Sequence, residues 1–414
     1  MTLRSRGAPT SILRVRDVRL IVGAVGLSAA GDTVLWILLA LHIGATADSA
    51  LAVSAMFVCL WGPVVALGGV AGRIVDRHEN RRLLIGVSLA QAAAVAAMAF
   101  ASGSLPALLA LCVLLGAGVA VSSPAEFALV PAAAGEQRVA EANGHVEAAR
   151  YLGMTIGPVV GGALAGAGLT RLGLLLDAAS FVAVAAAGVA LHARRAPAAG
   201  VRSAQREHGG LRIALADRTL AIALCAAIAA LLFFTMSVAA EVFFARDVLH
   251  AGATGYGLLM TAWTLGMVAG AVGLARRVPP AWLAAGALAG VALQGAGLLG
   301  AALGATMATA LVALLVGGVA HGTKNVLLRT LIHERVPEAQ RGRAFAAYNA
   351  LRNGAELGAL GAGGVLVGLA GAQVALALSG AIPLAIGVGA LALLAHRSPA
   401  SATTARSAYA HGQG

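Results

Sequence analysis

Charge is scarce in this sequence. Only 11% of the 414 residues are Asp, Glu, Lys or Arg, against roughly 25% in an ordinary soluble domain. Together with a mean hydropathy of +0.87, this excludes a soluble globular chain and makes the lipid bilayer a partner. Lysine is almost absent: Lys324 is the only one and follows Thr323. A Walker A loop needs its lysine directly after glycine, so an ATP-hydrolysing P-loop is excluded. Cysteine is rare, and Cys59, Cys112 and Cys225 all fall inside apolar runs, which argues against disulfides and a cysteine metal site. His321 has no companion ligands at useful spacing, so no metal or other cofactor is expected. Aromatics make up 4% and are not interleaved with basic residues. The net charge of +12 therefore reads as loop charge that orients a membrane protein, with no nucleic-acid partner. Neither Gly-x-Ser-x-Gly nor His-Glu-x-x-His occurs, and no enzyme is expected.

What is present is a series of long apolar runs. A bilayer span takes about 20 apolar residues, and twelve such runs are read at 20–43, 50–74, 83–102, 105–129, 145–168, 172–192, 219–244, 254–275, 281–302, 306–330, 344–370 and 372–396. No small-residue cleavage site follows the first, which is read as a retained span. The fold class is thus an all-α membrane protein. Arg4, Arg6, Arg14, Arg16 and Arg19 precede the first span, and Arg73, Arg77, Arg81 and Arg82 surround the link between spans two and three. Arg194, Arg195, Arg202, Arg206, Arg212 and Arg218 accompany the link between spans six and seven, while the opposite loops hold little beyond Arg171 and Arg246. The positive-inside rule puts both termini in the cytoplasm. The composition, with no outer-membrane strand pattern, favours a bacterial cytoplasmic (inner) membrane.

The polar segment at 193–218 divides the chain into six-helix bundles at 1–192 and 219–396, followed by a tail at 397–414. The halves repeat one another. Residues 130–150 align without gaps to 336–356, setting Pro131 against Pro337 and Asn143 against Asn349; the same register sets Gly157 and Gly162 against Gly363 and Gly368. Parallel halves point to a transporter with a central site.

Two local patterns then resemble the major facilitator superfamily, over essentially the whole chain. GRIVDRHENRRLL (72–84) is similar to its cytoplasmic signature, matching at Gly72, Asp76, Arg77 and Arg81 and departing at Glu79 and Asn80. The resemblance implies a cytoplasmic latch in which Asp76 caps a facing helix and Arg77 bridges to a carboxylate such as Glu126. The second pattern, GHVEAARYLGMTIGPVVGG (144–162), resembles the fifth-span signature of the superfamily's antiporters at Gly144, Gly153, Gly157, Pro158, Gly161 and Gly162. Small residues four apart let helix backbones approach, and Pro158 frees a carbonyl and bends the helix. The groove of Gly153, Gly157 and Gly161 is expected to seat span five on a helix of the other half. In the second half Gly364 stands where the proline would be.

Charges at membrane depth are functional candidates by default. Asp32 lies about twelve residues, or roughly 18 Å, into span one, near mid-membrane. A carboxylate there can take a proton from outside and release it inside, and the Gly-Asp pair also resembles the macrolide-efflux and siderophore-exporter branch. Glu356 lies at comparable depth with Arg352 one turn before it. His321 and Lys324 share a face of span ten with Asn325 beside them, placed to contact an anionic substrate or neutralise Glu356. Arg150 and Glu147 are read as part of the cytoplasmic gate, and Asp177 and Glu241 as nearer the outer interface with no coupling role. Phe233, Phe234 and Trp263 are candidates for an apolar pocket. Span four lacks the arginine that many proton-coupled drug antiporters of the superfamily carry. The reading is a monomeric secondary active exporter of a small amphipathic molecule (drug, secondary metabolite or siderophore), driven by proton antiport. An importer, an exporter coupled to another ion, and a non-transporting receptor or scaffold are the alternatives.

Overall fold

The computed structural model describes residues 11–194 and 210–396. Arg4, Arg6, Arg195, Arg202, Arg206, the middle of the central segment and the tail at 397–414 lie outside the described residues. Among the described residues the regular structure is entirely helical. Its helices are α1 (Arg16–Thr46), α2 (Ala50–Arg77), α3 (Asn80–Met98), α4 (Leu105–Ala134), α5 (Val139–Gly166), α6 (Thr170–Ala190), a short α7 (Gly210–Ala216), α8 (Arg218–Phe243), α9 (Gly252–Ala269), α10 (Leu283–Gly304), α11 (Met307–Arg335), α12 (Glu338–Ala370) and α13 (Ala372–Ala395). The twelve long helices coincide with the twelve apolar runs. Most extend a few residues further, because the charged residues flanking a run continue the helix as its polar end turns.

Local chemistry sets the ends. Ser49, Ser104 and Asp217 each accept a hydrogen bond from a first-turn amide of the helix they precede, satisfying one of the orphan N–H groups. Gly371, at φ 79°, is the single residue between α12 and α13; a side chain there would be strained in the left-handed region.

Among the described residues, ten helices are long and apolar enough to cross a membrane. The others of comparable length, α5 and α12, have 28 and 33 residues, about 42 and 50 Å at 1.5 Å per residue. Their mean hydropathy is diluted by glycine and by charges such as Arg150, Arg352 and Glu356.

The chain forms two compact units, Met1–Gln205 with Gly252–Thr261, and Arg206–Ala251 with Ala262–Gly414. In the first unit α1 packs on α5 and α6, α2 on α4, and α3 on α4 and α6. In the second, α10 packs on α11 and α13, and α8 on α12 and α13. Glycine mediates the closest approaches. Cβ atoms at Gly266 and Gly270 would run into the Leu315 and Val319 carbonyls of α11, and one at Gly295 would lie 2.5 Å from the Gly380 oxygen of α13.

Candidate functional site

Asp32 occupies the middle of α1, 16 residues or about 24 Å from the helix start. It borders a cavity of about 220 Å³ within the first unit, shared with Ser28, Trp61, Gln91, Ser122, Glu126 and Arg150. Ser28, one turn earlier, donates to Asp32 Oδ2 at 3.5 Å. On the same cavity Arg150 Nη2 of α5 lies 3.8 Å from Glu126 Oε2 of α4, and Arg150 Nε lies 3.6 Å from Glu147 Oε1. The Arg150 guanidinium also covers the Phe127 ring at 5.3 Å, a cation–π contact. Two carboxylates and one guanidinium therefore share a pocket walled by buried serines and apolar residues.

This arrangement bears on three residues of the sequence reading. Glu126, named as an example of a carboxylate for Arg77, faces Arg150 here, because α4 and α5 turn the two toward each other. Arg150, read as part of the cytoplasmic gate, lines this cavity from α5. Asp177, read as closer to the outer interface, lies in the first half of α6. It is 2% exposed, stands about 10 Å into α6, and abuts α1 at Gly31, the residue before Asp32; a Cβ at Gly31 would collide with the carboxylate. Ser180 donates to Asp177 Oδ1 at 3.1 Å, and Oδ2 has no hydrogen-bond partner among the described residues.

The second unit holds its own cluster of polar side chains. Lys324 is 3% exposed. It donates from Nζ to Gln294 Oε1 of α10 at 2.7 Å, while His321 Nδ1 lies 3.1 Å from the same oxygen. The His321 ring sits against Phe234 and Trp263, with centroids 5.3 and 5.4 Å away, and those two rings stack at 5.1 Å. Arg352 Nη2 donates to Glu356 Oε1 at 2.9 Å. His321, Lys324, Asn325, Arg352 and Glu356 border one narrow pocket with Tyr348. Gln294 and Gln91 were missed from the sequence, since each is a lone glutamine in an apolar run and belongs to no motif. On α8, Ser237 donates to Glu241 Oε1 at 2.7 Å.

At the charged end of α2, Arg77 borders a shallow cleft with Arg73, Ile74 and His78, and Asp76 closes the last turn beside it. Arg81 does not join them. Its Nε and Nη2 donate to the Gly188 and Val189 carbonyls at the end of α6, at 2.9 and 2.8 Å, where the positive group complements the helix's negative pole. Asp17 and Arg16 bind the same region: the His192 and Ala193 amides donate to Asp17 Oδ2 at 3.0 and 2.6 Å, and Arg16 donates to the Ala190 carbonyl at 2.9 Å.

The glycine pattern of α5 meets the expectation only in part: its three-glycine groove faces α1, whereas Gly162 meets α9, a helix of the sequence's second half. Gly153, Gly157 and Gly161 pack on α1 of the same unit. A Cβ at Gly157 would lie 2.6 Å from Thr33 Cβ and 2.9 Å from the Ala30 oxygen, and one at Gly161 would lie 3.0 Å from Ile37 Cβ. Gly153 meets the Gly26 carbonyl more closely still. Gly162 faces Ala253 and Gly257, in the first turns of α9 that belong to this unit, and Gly144 and Gly72 have open space around them. Pro158 is buried within the helix. In the second unit the counterpart of Gly157, Gly363, meets Met236 of α8.

The architecture has clear counterparts among solved structures. The nucleoside transporter NupG superimposes with a TM-score of 0.72 at 13% identity, covering 92% of this chain and 99% of that one. A bacterial homologue of the iron transporter ferroportin, inward-facing, gives 0.70 at 16% identity, covering 92% and 98%. The human organic anion transporter MFSD10 gives 0.56 at 17%, covering 90% and 99%. At these identities the likeness is one of fold. No curated protein sequence matches the chain. The sequence model of the Major Facilitator Superfamily matches residues 21–360, most of the chain's length, and the chain belongs to that superfamily of membrane transporters.

Proposed function

We propose that the protein is a secondary active exporter of a small amphipathic molecule, working by proton antiport and alternating access as a monomer in a bacterial cytoplasmic membrane, with both termini cytoplasmic. The observation that carries this reading is Asp32: a carboxylate halfway along a membrane-length helix, bordering a polar cavity that it shares with Glu126 and Arg150. A carboxylate in such surroundings exchanges a proton when access to water changes sides, and its charge then competes with or admits cargo in the same space. Arg150 supports the cycle by compensating one of the two carboxylates at a time. The fifth-span pattern supports antiport through resemblance, and Lys324 with His321 gives the second unit groups able to meet an anionic part of the cargo. Asp76, Arg77 and Gly72 keep the role of a cytoplasmic latch in this proposal, and no enzymatic step is assigned.

The test uses everted membrane vesicles with an imposed pH gradient and a panel of fluorescent lipophilic cations and anions. Gradient-driven uptake is expected for the native protein and is lost in Asp32→Asn, with the variant still present in the membrane. Uptake that survives in Asp32→Asn refutes the coupling role. No uptake of any compound moves the reading to an importer, another coupling ion or a scaffold.

A further inference from the structure

The first-unit cavity contains a group that proton coupling does not use. Gln91 of α3 borders the cavity at 2% exposure, and neither its amide oxygen nor its amide nitrogen has a hydrogen-bond partner among the described residues. A buried amide left unpaired is costly, and almost all buried polar groups are satisfied. Gln91 is nevertheless held in place. A Cβ at Gly118 of α4 would lie 2.7 Å from Gln91 Cγ and 3.0 Å from Cδ, so the missing side chain of Gly118 is what leaves room for the carboxamide. Ser88, one turn earlier on α3, and Ser122 of α4 bring buried hydroxyls to the same cavity.

A carboxamide offers a carbonyl acceptor and an N–H donor side by side. Its complement is a group with a donor and an acceptor on one edge, which forms two parallel hydrogen bonds; an ester or a tertiary amide has no donor and leaves the Gln91 oxygen unpaired. The cavity's two carboxylates against one guanidinium favour a cation. We propose that Gln91 selects the cargo by pairing with a primary amide or lactam edge of a small cationic molecule whose amine is directed to Asp32. The assignment rests on reading this cavity as the cargo site.

Binding of two matched probes to the full-length protein in nanodiscs tests it: 4-(aminomethyl)benzamide, and its N,N-dimethylamide, which keeps the amine and the carbonyl but has no amide N–H. The native protein is expected to prefer the primary amide ~10-fold or more, because a site built to bond a donor rejects an analogue that lacks it. Gln91→Met, of similar length but without strong hydrogen-bonding groups, is expected to erase the preference. Gln91→Glu, which keeps the shape and an acceptor, retains part of it, a result that a merely structural role does not produce. Equal affinities in the native protein, no binding of either probe, or an undiminished preference in Gln91→Met overturns the proposal. Asp32→Asn separates it from the coupling reading. If pH-driven export survives in that variant while the amide preference remains in the native protein, coupling through Asp32 fails and the Gln91 assignment stands; the reverse pair of results overturns Gln91 alone.

Discussion

Lys324 is the only lysine in the sequence, and its buried ammonium donates to a neutral partner, Gln294, that it shares with His321. Removing that acceptor leaves a buried charge without it. Gln294→Leu is therefore expected to destabilise the protein by about 1–3 kcal/mol, seen as a lower melting temperature of the purified protein in detergent; an unchanged melting temperature would show that the bond contributes nothing. Residues of this kind mark where sequence reading stops. Asp32 stands out because a carboxylate in an apolar run carries a large desolvation cost. Gln91 and Gln294 carry a smaller one, and their importance arises only from what α4, α10 and α11 bring beside them. Arg81, Glu126 and Arg150 were recognised as charged groups near helix ends, but their partners depend on helix rotation, which spacing along one chain does not specify.

At the scale of helices, glycine separates two kinds of position that look alike in sequence. Gly144 and Gly153 both belong to the fifth-span pattern, yet only Gly153 has backbone against it. Gly153→Ala is expected to cost about 1–3 kcal/mol through overpacking, whereas Gly144→Ala is expected to be neutral or to stabilise by up to about 1 kcal/mol through helix propensity. Melting temperatures of the two variants, measured side by side, check this; equal effects would remove the packing argument. The existence and extent of the long helices were legible because apolar runs separated by arginine-bearing links leave little choice in a bilayer. The partner of the α5 groove was not. A stripe of small residues permits close approach without naming the helix that approaches, and here Gly26 and Ala30 of α1 supply the matching small positions.

For the whole molecule, the proposed orientation predicts which loops face which compartment. Ser102, between α3 and α4, and His78, between α2 and α3, are both exposed. In a background with Cys59, Cys112 and Cys225 replaced by serine, Ser102→Cys is expected to react with a membrane-impermeant maleimide in intact cells, and His78→Cys only after lysis. The opposite pattern would invert the topology and with it the direction in which Asp32 would move protons. The aligned segments 130–150 and 336–356 lie in different units, whereas Gly252–Thr261, from the second half of the sequence, belongs to the first. The contact between α1 and α5 has a mechanical consequence. At the groove glycines only the first side-chain carbons of Ala29, Thr33 and Ile37 stand between the two backbones, which leaves little to shear or change rotamer, so the two helices behave as one stiff spar. The backbone positions of Asp32 and Arg150 are thereby tied to one another, while α2, α3, α4 and α6 supply the rest of the cavity wall.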